Sequence, residues 1–118
     1  SIRTTSAKLS ALDRNARSAE EWKNAILSLA SSNGEYRVAK PDPEEMALTA
    51  EDPAAPPDRR AAAALVLARS GTVEQKRRVR IAIGSSADED MRVALEAAAE
   101  GELALEAIER ASAKRALG

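Results

Sequence analysis

Apolar positions along this chain recur at helical spacing, and polar capping residues punctuate them. The clearest run is residues 19–30. Ala19, Trp22, Ala25, Ile26, Leu29 and Ala30 share one face there, while Glu20, Lys23, Asn24 and Ser28 lie away from it. Ser18 precedes the run and Glu21 follows three residues on, a capping-box pattern that satisfies amides left orphaned at a helix start. Ser31-Ser32-Asn33-Gly34 supplies the stop, with Gly34 suited to a left-handed residue. Upstream, Leu9, Leu12 and Ala16 predict a helix over Thr5 to Ala16. Downstream, Glu35 to Lys40 has no helical period and reads as an extended connector, with the ring of Tyr36 covering a helix end. Asp42 and Pro43 then form a cap and a first helical position. The short helix they open is interrupted by the stiff turn Asp52-Pro53-Ala54-Ala55-Pro56-Pro57.

The second half is more regular. Asp58 to Ser70 reads as a helix closed by Gly71. Thr72 and Gln75 form a second capping-box pattern, before a segment reaching Ile83 and closed by Gly84. Ser86 and Glu89 form a third, opening Ala87 to Glu100, which Gly101 closes, and Glu102 to Leu117 makes the last helix. Met91, Ala94, Leu95 and Ala98 form one stripe, and Leu105, Ile108 and Ala111 another. Residues 77–83 are ambiguous, because Val79, Ile81 and Ile83 alternate as a half-buried strand would. Helix is preferred, since a cap precedes the stretch and the helices around it leave no strand partner. A helix buried on two sides would explain the scattered apolar positions.

A shift of 30 residues lays Asp58 to Gly71 over Asp88 to Gly101 with five of fourteen positions identical: Asp58/Asp88, Ala64/Ala94, Leu65/Leu95, Ala68/Ala98 and Gly71/Gly101. Each block is followed by another helix, so the repeating unit is a helical hairpin, and stacked hairpins share a core that none could bury alone. With its Arg-Arg-Ala-Ala-Ala-Ala-Leu run and the Met91-Arg92-Val93-Ala94-Leu95-Glu96-Ala97-Ala98 block, residues 58–117 resemble HEAT-like or armadillo-like helical repeats. The unit is shorter than the period of about 40 those repeats use, and it lacks their helix-bending proline. The resemblance implies a scaffold or protein-binding surface without catalysis. The same segments also look like Ala- and Arg-rich helical modules attached to larger bacterial proteins.

Composition sharpens this picture. Of 52 apolar residues 27 are alanine, which favours helices that approach closely over a core of few large side chains. The absence of Cys excludes disulfides, thiol nucleophiles and cysteine metal sites, and the absence of His removes the commonest acid–base group and metal ligand. Charge alternates in blocks: residues 1–40 carry seven basic and four acidic groups, 41–58 six acidic and no basic, 59–84 seven basic and one acidic, and 85–118 four basic and eight acidic. Neighbouring blocks are expected to attract one another once packed. No apolar run approaches the roughly 18 residues of a membrane span. The excess of Arg over Lys, 13 to 5, together with the alanine, fits a GC-rich bacterial genome. The start at Ser1-Ile2-Arg3 reads as a domain cut from a longer protein, cytoplasmic or the soluble domain of a membrane-anchored one.

The candidate chemistry is sparse. Glu20/Glu21, Glu44/Glu45, Asp88/Glu89/Asp90 and Glu102/Glu106 lie at helix starts or on polar faces, where they favour the helix dipole rather than acid–base work. Asp88-Glu89-Asp90 lacks the spaced ligands and turn glycine of a calcium loop. No serine has a histidine partner, and there is no glycine-rich phosphate loop. The strongest hint is basic: Arg59, Arg60, Lys76, Arg77, Arg78 and Arg80, with no interleaved aromatic for base stacking. The sequence therefore predicts one all-α domain: an N-terminal helical cap over 1–52, a Pro-rich turn at 53–57 and two repeated hairpins over 58–118. These hairpins stack as a small right-handed HEAT-like solenoid or an orthogonal bundle. The expected role is a non-catalytic protein-interaction or scaffold module without cofactor, with those six basic residues as candidate contacts. The alternative is electrostatic binding of nucleic acid or an anionic membrane surface through residues 59–80.

Overall fold

The capping signals become helix starts in the structure, a computed structural model that describes residues 8–31 and 40–117. Among these residues a 3-10 turn, Ser10–Leu12, precedes six helices: α1 (Ala19–Ser31), α2 (Pro43–Glu51), α3 (Pro57–Ser70), α4 (Val73–Ser85), α5 (Glu89–Ala99) and α6 (Leu105–Leu117). No described residue is in a strand. At α1 the Ser18 hydroxyl accepts from the Glu21 amide at 3.1 Å while the Glu21 carboxylate accepts from the Ser18 amide at 2.9 Å. Thr72 and Gln75 reproduce the same reciprocal pair at α4, at 3.1 and 2.9 Å. Asp42 caps α2 with Pro43 at its first position. Gly34 and Tyr36, predicted as stop and connector, lie outside the described residues.

The core is organised around α3. This helix packs against each of the other five helices and against the 3-10 turn. Its residues Ala61 to Leu67 are consequently buried on every side of the helix. Only methyl-sized side chains allow five neighbours to approach one axis, and the Ala61-Ala62-Ala63-Ala64 run supplies them. Large fully buried side chains fill the gaps around it: Trp22, Leu12, Ile26, Met46, Leu65, Leu67, Leu95 and Val79. Each of these stabilises the fold by about 1.5–3 kcal/mol through apolar burial. Trp22 also donates from its indole nitrogen to the Leu12 carbonyl at 2.9 Å, so its one polar atom is satisfied inside the core. The principal extents of 39 × 32 × 29 Å differ little, as a bundle requires.

Several boundaries move. The first helix ends at Leu12 rather than Ala16, because Asn15 adopts a left-handed φ of 55° and the chain turns there, leaving Ala16 exposed. The proline turn gives up Pro57 to α3, since a proline is accommodated at a first helical position. Gly84 closes nothing: α4 runs through it to Ser85. The cap of α5 is Asp88, whose carboxylate accepts from the Met91 amide at 2.8 Å, and not Ser86, whose hydroxyl donates to the Asp88 carbonyl. Glu102 to Ala104 stay outside α6, yet Leu103 is buried.

Residues 77–83 are helical, and they bury one face rather than two. Val79 and Ala82 face the core, Ile83 is half-buried and Ile81 is 49% exposed. The repeat pairs Leu65 with Leu95 and Ala64 with Ala94 as wholly buried residues, and α3 packs beside α5. Other matches diverge. Asp88 caps its helix, whereas Asp58 lies inside α3 and accepts from the Arg14 amide at 2.9 Å. Gly101 has a φ of +88° and ends α5 in a Schellman arrangement, its amide bonding Ala98 O and that of Glu102 bonding Ala97 O. Gly71 has an extended φ of −83° and is required by space, because a Cβ there would lie 2.5 Å from the Leu67 carbonyl oxygen.

Candidate functional site

The basic residues of the 59–80 segment separate into two groups once folded. Arg59 donates from Nε and Nη2 to the two carboxylate oxygens of Asp13, both at 2.8 Å, which holds the guanidinium pKa above its ordinary value. Arg78 donates to both oxygens of Glu51 at 2.8 and 2.7 Å and to Glu44 at 2.8 Å. These bonds push its pKa up, and the Arg78 bond draws the Glu51 carboxyl below its usual range. Acidic 41–58 and basic 59–84 thus neutralise each other across the α2–α4 contact, as block charges in adjacent segments should.

Arg60 corrects the expectation of an exposed contact. It is only 6% exposed and donates from Nε and Nη2 to the Ala50 carbonyl at 3.2 and 3.0 Å. Ala50 lies in the last turn of α2, where carbonyls lack intrahelical partners, so Arg60 caps that helix from the side. Desolvation lowers its pKa. Three of the six candidates are therefore held within the fold. Lys76, Arg77 and Arg80 remain exposed on the outer face of α4, with Arg77 tied to Glu74 at 3.1 Å across one helical turn.

Beside this face, consecutive helices α4 and α5 leave a shallow groove of about 690 Å³. Ile83, Val93, Ala97 and Ala99 line it, with Arg80 on one wall and Glu96 and Glu100 on the other. Ile81 and Val93 are 49% and 37% exposed, large apolar groups that the core does not take up. The helical period of α4 explains the exposure of Ile81: once Val79 and Ala82 face inward, it is carried to the outer face beside Arg77.

The paired carboxylates serve the scaffold. Glu21 completes a cap, and Asp88 and Asp90 both bind the Lys114 ammonium, which lowers their pKa values; Arg110 adds to the effect at Asp90. Glu89 and Glu96 bracket Arg92. Among the described residues no group of three or more acidic side chains is placed to hold a metal ion, and no helix is long and apolar enough to cross a membrane. No family model, curated protein or solved structure matches the chain. Sequence reasoning singles out arginines and misses Ile81 and Val93 as surface groups. The signal at Ile81 is the break in helical period around Val79, Ile81 and Ile83, which on sequence grounds suggests burial on two sides; Val93 falls outside the Met91, Ala94, Leu95 and Ala98 stripe.

Proposed function

We propose that this chain is a non-catalytic protein-interaction module of a larger bacterial protein, acting in the cytoplasm, and that the α4–α5 groove receives an amphipathic helix of its partner. The observation that carries this reading is Val93, a large apolar side chain left 37% exposed in a groove with a basic wall and an acidic wall. A partner helix would lay apolar residues at i, i+3 or i+4 and i+7 onto Ile83, Val93 and Ala97, with carboxylates toward Arg80 and Lys76. The side-by-side packing of α3 and α5 supports the likeness to hairpin repeats, which offer such grooves between successive helices.

Selecting a displayed library of helical peptides against the domain tests the reading and needs no candidate partner. Enriched peptides are expected to share that apolar spacing and to lose binding to Val93→Asp. Enrichment indifferent to that replacement sinks it. Electrostatic binding of nucleic acid or membrane draws on fewer cations than the sequence implied, since Arg59, Arg60 and Arg78 are engaged internally. Duplex DNA or anionic vesicles bound at low salt, with affinity falling steeply as salt rises, would favour it instead.

A further inference from the structure

On another side of the molecule, the turn between α2 and α3, the start of α5 and the end of α6 enclose a cleft of about 520 Å³, within the range of small-ligand sites. Two guanidiniums line it, and both are held by neutral acceptors. Arg60 donates to the Ala50 carbonyl and Arg115 to the Ala54 carbonyl, and neither makes an ion pair with any described carboxylate. Arg59, Arg78 and Arg92 instead each hold a carboxylate.

Arg60 uses two of its nitrogens on Ala50, and its Nη1 has no partner among the described residues. Among the described residues no wholly buried side-chain nitrogen or oxygen lacks a hydrogen bond, so that Nη1 is not sealed off, and Arg60 lines the cleft. The cleft's two carboxylates are already ion-paired, Glu51 with Arg78 and Asp88 with Lys114. Two guanidiniums, oriented by carbonyls and without an ion pair, therefore face one cavity, with Asp52 the carboxylate whose charge acts on Arg60. At Arg60 desolvation outweighs the favourable Asp52 charge, and an incoming anion would offset the remaining cost.

We propose that this cleft binds a small phosphomonoester, its phosphate held by Arg60 and Arg115 and its organic part lying on Pro53, Met91 and Ala111. A phosphate dianion offers oxygens to both guanidiniums that lack an ion pair, whereas a single carboxylate carries half that charge. Guanidinium forks also suit phosphate oxygens bidentately. The apolar lining provides a dry wall for a modest organic group and leaves no need for base or peptide recognition.

Calorimetric titration of the full chain with phenyl phosphate, inorganic phosphate, benzoate and phosphatidate vesicles at low ionic strength tests this. Phenyl phosphate is expected to bind saturably below about 1 mM, more tightly than inorganic phosphate and at least about tenfold more tightly than benzoate. Arg115→Gln, at an exposed position, should weaken it by about tenfold or more while leaving the circular dichroism spectrum unchanged. Lys8→Gln, an exposed lysine remote in sequence from the cleft segments, should leave the affinity unchanged. Arg60→Gln should abolish binding; if that variant fails to fold, Arg115→Gln alone decides. No saturable phenyl phosphate binding, equal affinity for benzoate, insensitivity to Arg115→Gln, or binding of vesicles without phenyl phosphate would each overturn the proposal.

Discussion

Helices α3 and α4 are nearly the same length and adjacent in sequence, yet they sit in opposite environments. In α3 every residue from Ala61 to Leu67 is buried, whereas in α4 only Val79 and Ala82 are. The first is a hub that five helices touch; the second shows most of its surface to water. Alanine explains the hub, because a side chain of one methyl lets neighbours pack around the whole circumference. Arginine explains the rim, since Arg78 can lie along α2 and still deliver its guanidinium to Glu44 and Glu51. The difference assigns stability to α3 and leaves α4 free to carry recognition.

The comparison would break if large changes in α3 proved mild. Leu65→Ala removes a wholly buried side chain at the hub and is expected to cost about 2–5 kcal/mol in chemical denaturation. Ala63→Leu tests the complementary claim, that the hub has no spare volume. Overpacking there should cost about 1–3 kcal/mol, and a neutral result would mean that the helices around α3 can give way.

How far the sequence disclosed all this depends on whether the signal was local. Ser18, Thr72 and Asp42 announced helix starts because a cap needs only residues within one turn. The start of α5 went to Ser86 instead of Asp88, since both offer an oxygen and only the packed chain shows which one reaches an amide. Packing faces were legible at Trp22, Ile26, Met91 and Leu95 from period alone. The fate of Arg60 was not, because its partner carbonyl at Ala50 is brought near by the turn between α2 and α3. For the same reason Lys114 and Arg115, at the far end of the chain, gave no sign that they would meet Asp88 and the Ala54 carbonyl.

A smaller effect should come from acid. The Glu51, Asp88 and Asp90 carboxyls lie below their ordinary values when folded, drawn down chiefly by hydrogen bonds from Arg78 and Lys114. Their contribution is complete above the unfolded values of about 3.9–4.3 and is lost as pH falls through the folded ones. Thermal stability should thus stay level from about pH 7 to 5 and decline below about pH 4. Glu51→Gln should make that decline shallower by removing one titrating group at the α2–α4 contact. An unchanged acid limb would mean the Arg78 pair contributes little to folding.

Glycine in α4 provides a change of the opposite sign. Gly84 lies inside the helix and a Cβ there meets nothing within 4 Å, so Gly84→Ala should stabilise by up to about 1 kcal/mol. A loss would show that the end of α4 needs freedom the structure does not express.

Smallest in stability and largest in meaning is Ile81→Ser. At a position 49% exposed, a surface replacement is expected to stay within about 0.5 kcal/mol of the parent, far from the loss at Leu65. Val79→Ser, two residues away and buried, serves as its internal contrast and should destabilise clearly. If Ile81→Ser leaves the melting curve in place, Ile81 is a surface group that the fold does not use. If it costs as much as Val79→Ser, Ile81 belongs to the fold, and α4 is no longer the free surface that its contrast with α3 makes it.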